Sequence, residues 1–147
     1  MNALHYEGCQ NRRRCITIMV KENMGKEPCF PEAKTESAKR VKDLFDIDYY
    51  FSGHFEDKVK NGNHWMCTVT GGSPLWFAKD GIRRTPSSQE KLKIQGLKEG
   101  MEYVIPNDTP MEQQNKAIGN GVPINLSYFI GKTIMEQIFE KPVKYQY

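Results

Sequence analysis

The segment NKAIGNGVPINLSYFIGKTI, residues 115–134, constrains the fold more than any other. Leu126, Ile130, Ile134 and Ile138 recur every four residues, with Phe129 and Met135 beside them. At 3.6 residues per turn, that spacing builds one broad apolar face on a helix of roughly 15 residues, about 23 Å long. A helix of this length is marginal by itself in water, so its apolar face demands a partner surface. The Gly119-Asn120-Gly121 turn feeds the helix, and Asn125 or the turn itself is expected to cap it.

The rest of the composition sets limits. A chain of 147 residues suffices for one domain with a real core. At 38% hydrophobic and 27% charged residues, it is neither disordered nor membranous by composition. No apolar stretch approaches the length of a bilayer span, and MNALHYEGCQNRRR lacks the apolar region of a secretory leader. A net charge of +3 is compatible with a nucleic-acid partner without arguing for one. Cys9, Cys15, Cys29 and Cys67 form no C-x-x-C pair, and His5, His54 and His64 are scattered. No metal site is expected, and the thiols read as reduced cysteines of a cytoplasmic protein.

Along the chain, CITIMV (residues 15–20) reads as a buried strand. TESAKRVKDLF (residues 35–45) reads as a helix with Thr35 as N-cap. The aromatic, polar stretch DIDYYFSGHFEDKVKNGN reads as loop. WMCTV (65–69) and LWFA (75–78) read as strands around the turn TGGSP, and residues 79–81, KDG, as a hairpin turn. TPSSQEKLKIQG reads as a helix capped by Thr85, with Pro86 as its first residue. No βαβ unit and no N-terminal glycine-rich loop appear, so the front half of a nucleotide-binding fold is not expected.

Three short stretches carry possible chemistry. In QNRRR, an extended chain places Gln10, Arg12 and Arg14 on one side and Arg13 on the other. Two guanidiniums and an amide on one face suit a phosphate, a carboxylate or a base carbonyl, although charge runs are ordinarily solvated surface. In TGGSPLWF, Thr70, Gly71, Gly72 and Ser73 can bring backbone and hydroxyls to base edges in a DNA groove, or simply turn a hairpin. AIGNGVP offers Asn120, Gly121 and Val122 as a phosphate or cofactor turn, or as a plain turn into the helix.

Their order matters more than any one of them. NALHYEGCQNRRRCITIMV, RRTPSSQEKLKIQGL and QNKAIGNGVPINLSYFIGKTI follow one another, with a glycine-bearing β region between the first two. Together they resemble the C-terminal third of the DNA cytosine-5 methyltransferase family. The first resembles its Q-x-R-x-R block, the second its T-P-R-E…L-Q-G-F block, and the third its closing G-N-A/S-V block and final helix. In the second, Ser87 and Ser88 stand where Arg-Glu is usual, the spacing to Gln-Gly is two longer, and Leu97 replaces the aromatic.

The resemblance implies an α+β chain: the C-terminal fragment of an S-adenosylmethionine-dependent methyltransferase. Residues 1–33 would give one or two strands of the large α/β domain, 34–109 a small irregular recognition region and hinge helix, and 110–147 a closing turn and returning helix. It implies supporting catalytic roles for Gln10, Arg12 and Arg14, which would hold a flipped cytosine or orient the acidic catalytic residue. It implies cofactor contacts at Asn120, Gly121 and Val122. DNA contacts would fall at Thr70, Gly71, Gly72, Ser73, Arg83 and Arg84, with Lys58 and Lys60 as further phosphate contacts. The implied partners are double-stranded DNA and a second polypeptide, with no membrane and no metal. The family's glycine loop, Pro-Cys nucleophile block and Glu-Asn-Val block all precede Q-x-R-x-R, and nine residues precede Gln10 here. Pro28-Cys29 and Glu22-Asn23 lie on the wrong side of the arginines to be those blocks. The chain is therefore expected to be inactive alone, as one part of a split cytoplasmic enzyme of prokaryotic or phage type, or a truncated remnant. A DNA-binding module without catalysis is the alternative.

Overall fold

The computed structural model describes residues 1–53, 59–72, 74–106 and 108–144. The fold is α+β: a four-stranded antiparallel sheet with helices, the last of them C-terminal. The strands are β1 (Tyr49–Ser52), β2 (Lys60–Asn61), β3 (Leu75–Lys79) and β4 (Ile82–Arg84), in the order β2-β1-β3-β4. Tyr50 stands opposite Phe77, and Phe77 opposite Arg84. That register puts Tyr50, Leu75 and Phe77 on one face, where they pack with Val41, Phe45, Met66 and Ile94. Asp80 and Gly81 join β3 to β4 with both φ angles positive, 50° and 77°, as a two-residue hairpin whose twist suits the strands.

Three α-helices follow: α1 (Ser88–Ile94), α2 (Met111–Asn120) and α3 (Ile124–Thr133). A π-helical turn, Ile134–Ile138, extends α3. Ser87 caps α1 by accepting from the Glu90 N–H at 3.2 Å, while the Glu90 carboxylate accepts from the Ser87 N–H at 2.8 Å. Val122-Pro123 separates α2 from α3, because proline has no N–H with which to continue the first helix.

Several expectations are corrected. The cap of α1 is Ser87, two residues later than Thr85. Residues 35–45 form two short 3-10 turns, Thr35–Ser37 and Val41–Asp43, instead of one helix. The stretch read as loop contains β1, the central partner of both β2 and β3. Residues 65–69 form no strand, only a single parallel bridge between Gln10 and Met66. Asn125 does not cap α3, whose N-cap residue is Pro123. Residues 15–20 are extended and alternate between exposed and half-buried, yet they pair with no strand among the described residues. They therefore do not supply the expected strand of a larger sheet within this chain.

Candidate functional site

The side chains of Gln10–Arg14 alternate inward and outward, with a tight turn at Asn11 where the Arg12 N–H donates to the Gln10 carbonyl at 2.9 Å. Gln10 is wholly buried and Arg12 is 1% exposed, while Asn11 and Arg13 face outward and Arg14 is half-buried. The segment is held against residues 66–68. The Met66 N–H donates to the Cys9 carbonyl at 2.8 Å, and the Asn11 N–H to the Met66 carbonyl at 2.9 Å. The Thr68 hydroxyl donates to the Asn11 carbonyl at 2.7 Å.

From that seat, Gln10 and Arg12 reach across the molecule. The Gln10 amide donates to the Ile94 carbonyl (3.1 Å) and to Gln95 Oε1 (2.7 Å), and its own oxygen accepts the Val69 N–H at 3.3 Å. The Gln95 side-chain amide in turn donates to the Ile118 carbonyl at 2.5 Å, and the Gln95 backbone carbonyl accepts the Ile124 N–H at 2.7 Å. Arg12 donates through Nη1 to the Val69 carbonyl at 2.5 Å, and through Nη2 to the carbonyls of Gly119 (2.5 Å) and Gly121 (2.9 Å). Its Nε has no partner among the described residues. Burial first, and the charge of Arg14 second, pull the Arg12 pKa down to about 10, so the group stays charged at neutral pH. A buried charge is costly unless its donors are satisfied, and here backbone carbonyls take up that role.

A close crossing completes the hub. A Cβ placed on Gly119 of α2 would lie 2.2 Å from the Gly71 nitrogen and 2.4 Å from the Thr70 carbonyl carbon. Only glycine admits that approach of two backbones. Gly119 and Asn120, expected in a turn, are the last residues of α2, so the TGG turn is pressed against the C-terminal end of that helix, with Arg12 bonded to backbone on both sides of the contact.

The candidate residues are placed as follows. Gln10 and Arg12 are turned inward, and Arg12 is occupied by backbone carbonyls instead of facing an open pocket. Arg14, half-buried, donates to the Arg13 carbonyl at 2.8 Å. Gly121 gives its carbonyl to Arg12, while Asn120 and Val122 are exposed beside it. Gly71 lies against α2, with Thr70 and Gly72 exposed at its sides. Arg84 forms a bidentate pair with Glu90, at 2.7 Å on both arms, and Arg83 lies over the Phe51 ring at 5.3 Å. Lys60 is exposed on β2. Ser73 and Lys58 fall outside the described residues.

The sequence did not announce the bridging role of Gln95, and it offered Asn125 only as a helix cap. Gln95 bridges the first and third blocks, and its place in the Gln-Gly pair of the second block was the available signal. Asn125, 1% exposed, donates to the carbonyls of Ala3 (3.1 Å) and Tyr6 (2.5 Å), tying α3 to the N-terminal residues.

Burial disfavours the thiolate at Cys9 and Cys67. All four cysteines are free, and burial pushes Cys9 up to about 11 and raises Cys67. Cys29 is half-buried in a loop and Cys15 is exposed. Among the described residues, no group of three or more His, Cys, Asp or Glu side chains is placed to hold a metal ion. No helix among them is long and apolar enough to cross a membrane. No protein-family model matches the chain, and no curated protein or solved structure matches it.

Proposed function

We propose that this chain is the C-terminal portion of a DNA cytosine-5 methyltransferase, providing target recognition and the arginine block. A separate polypeptide provides the cofactor site and the nucleophilic cysteine. The observation that carries this reading is the meeting of the three resembling blocks in one hydrogen-bonded hub. Gln10 and Arg12 from the first, Gln95 from the second, and Ile118, Gly119 and Gly121 from the third are joined directly. The bonded pair farthest apart in sequence, Arg12 and Gly121, is separated by 109 positions.

In this reading Arg12 is a positioning residue. It fixes the recognition turn at Val69 and the closing block at Gly119 and Gly121 in one frame, and so aims the neighbouring Arg14. Arg14 is the guanidinium left at the surface of the hub to meet a flipped cytosine or an acidic catalytic residue. S-adenosylmethionine, when bound, supplies the methyl group. The chain's contribution to its pocket is the Asn120 amide and the Val122 side chain, both exposed beside a Gly121 already anchored by Arg12.

Two surfaces suit the second polypeptide. Residues 15–20 are rich in β-branched side chains and pair with no strand among the described residues, with Met19 88% exposed, and an unpaired segment of this kind is a template for another chain. The apolar stripe of α3 and its π turn is only partly covered. Leu126 and Ile138 are buried, whereas Ile130 and Ile134 are half-buried and Phe139 is 50% exposed. The self-contained core under the sheet favours a second reading, a DNA-binding module without catalysis.

Methyl transfer separates the two readings. The chain is co-expressed with a polypeptide carrying the cofactor loop and the Pro-Cys block, and labelled methyl incorporation into duplex DNA is counted. The lone chain gives none and the pair gives transfer. Arg14→Ala lowers transfer without loosening the pair, and Ile130→Asp loosens the pair by placing a charge in the docking face. Transfer by the lone chain, or failure of every such pair both to associate and to transfer, would overturn the proposal.

A further inference from the structure

Beside β2, the edge strand of the sheet, the chain gathers cations around an exposed tryptophan. The Val41 N–H donates to the His64 carbonyl at 3.0 Å, and the Lys42 N–H to the Gly62 carbonyl at 2.9 Å. These bonds lay KRVK, residues 39–42, against KNGNHW, residues 60–65. The Arg40 guanidinium stacks on the Trp65 ring at 4.3 Å from its centroid, and Trp65 stays 40% exposed. Lys42, Lys60 and His64 are exposed close by. Among the described residues, the Asp43 carboxylate beside this edge accepts the Arg40 N–H at 2.6 Å. By contrast, Arg84 is paired with Glu90, and Gly71 is covered by α2.

We infer that this edge, made of Arg40, Lys42, Lys60, His64 and Trp65, is the surface on which the chain holds the phosphate backbone of duplex DNA. The inference rests on the proposed function and deepens it by placing the DNA. The cations neutralise phosphates, and the stacked Arg40–Trp65 pair gives a flat, half-desolvated face against sugar or an unstacked base. The TGG turn, pressed into the hub, is left to set the distance between this edge and the closing turn.

The test uses the full chain and a labelled random-sequence duplex, with binding followed by anisotropy across a salt series. Lys42→Gln with Lys60→Gln removes two phosphate contacts at exposed positions and keeps the aliphatic stems. The slope of log affinity against log salt becomes shallower by about 1.8 in that variant, at about 0.9 per contact. Trp65→Phe retains the stack and most of the affinity, whereas Trp65→Ala weakens binding several-fold with the salt slope kept. Unchanged affinity and slope in the double variant overturn the inference and leave the proposed function standing. No binding by the wild-type chain, while the co-expressed pair methylates DNA, has the same meaning. Tighter binding to an RNA hairpin than to the duplex overturns the assignment to DNA. Slope-dependent binding with no methylation by any pair supports this edge and removes the methyltransferase reading.

Discussion

Gly119→Ala tests the hub at its tightest point. In a helix the change would ordinarily help, by about 1 kcal/mol, because alanine loses less backbone entropy than glycine. Here the new Cβ would sit 2.2 Å from the Gly71 nitrogen and 2.4 Å from the Thr70 carbonyl carbon. Both are backbone atoms and cannot rotate away. Restoring ordinary contact requires α2 and the turn to separate by about 1 Å in an interior that resists such shifts. Arg12 bonds across that same contact, at 2.5 Å to Val69 on one side and 2.5 Å to Gly119 on the other. Separation by about 1 Å breaks one of these charged hydrogen bonds, at about 1.5–3 kcal/mol, on top of about 1–3 kcal/mol of overpacking. Net of the helix gain, the variant loses roughly 2–5 kcal/mol. Gly131, in α3, is the control, because its Cβ would meet nothing within 4 Å. Gly131→Ala gains about 0.5–1 kcal/mol. Urea unfolding followed by circular dichroism reads both, and Gly119→Ala lowers the midpoint by about 1 M or more at ordinary slopes. A Gly119→Ala protein as stable as Gly131→Ala would mean that the two backbones do not cross as described.

Arg12→Met leaves the carbonyls of Val69, Gly119 and Gly121 without their donor and costs on the order of 3 kcal/mol or more in the same urea assay. Arg12→Lys recovers little of it, since one ammonium cannot span both sides of the crossing. Asn125→Ala removes two buried hydrogen bonds to Ala3 and Tyr6, lowers stability by about 1–3 kcal/mol, and frees the N-terminal residues to proteolysis before α3 unfolds. Glu90 has its pKa lowered, first by the hydrogen bond from Arg84. Its contribution is therefore present above the unfolded value, about 4.3, and is lost as pH falls through the lower folded value. A stability profile over acid pH shows that loss in the wild type and flattens there in Glu90→Gln.

What the sequence disclosed follows from how local each signal is. The Asp80-Gly81 hairpin was legible because two adjacent residues set its geometry. The helical run to Ile138 was legible because its apolar period repeats. The alternation of Gln10, Arg12 and Arg14 was also legible, but residues 15–20, expected as a buried strand, have no residue buried and no strand partner among the described residues. Helix α2 was missed because MEQQNKAIGN buries only Ile118 and Gly119 and so carries almost no apolar pattern. Strand β1 was missed because YYFS is short and flanked by polar, turn-forming residues. The arginines were found by their spacing, yet nothing local announced that Arg12 would spend its charge on carbonyls more than 50 residues away. The glycines of TGG and IGNG were each visible, and only the tertiary fold reveals that they face one another.

The reach of Arg12 also bears on the order in which the protein comes off the ribosome. Its acceptors lie 57, 107 and 109 positions downstream, so a nascent chain leaves the Nη2 side of this cation to water until Gly119 and Gly121 have emerged. The sheet and its hairpin can form beforehand, but the N-terminal segment cannot lock until residue 121 has emerged. Interrupted translation products should therefore hold this first segment open to solvent and to quality-control proteases.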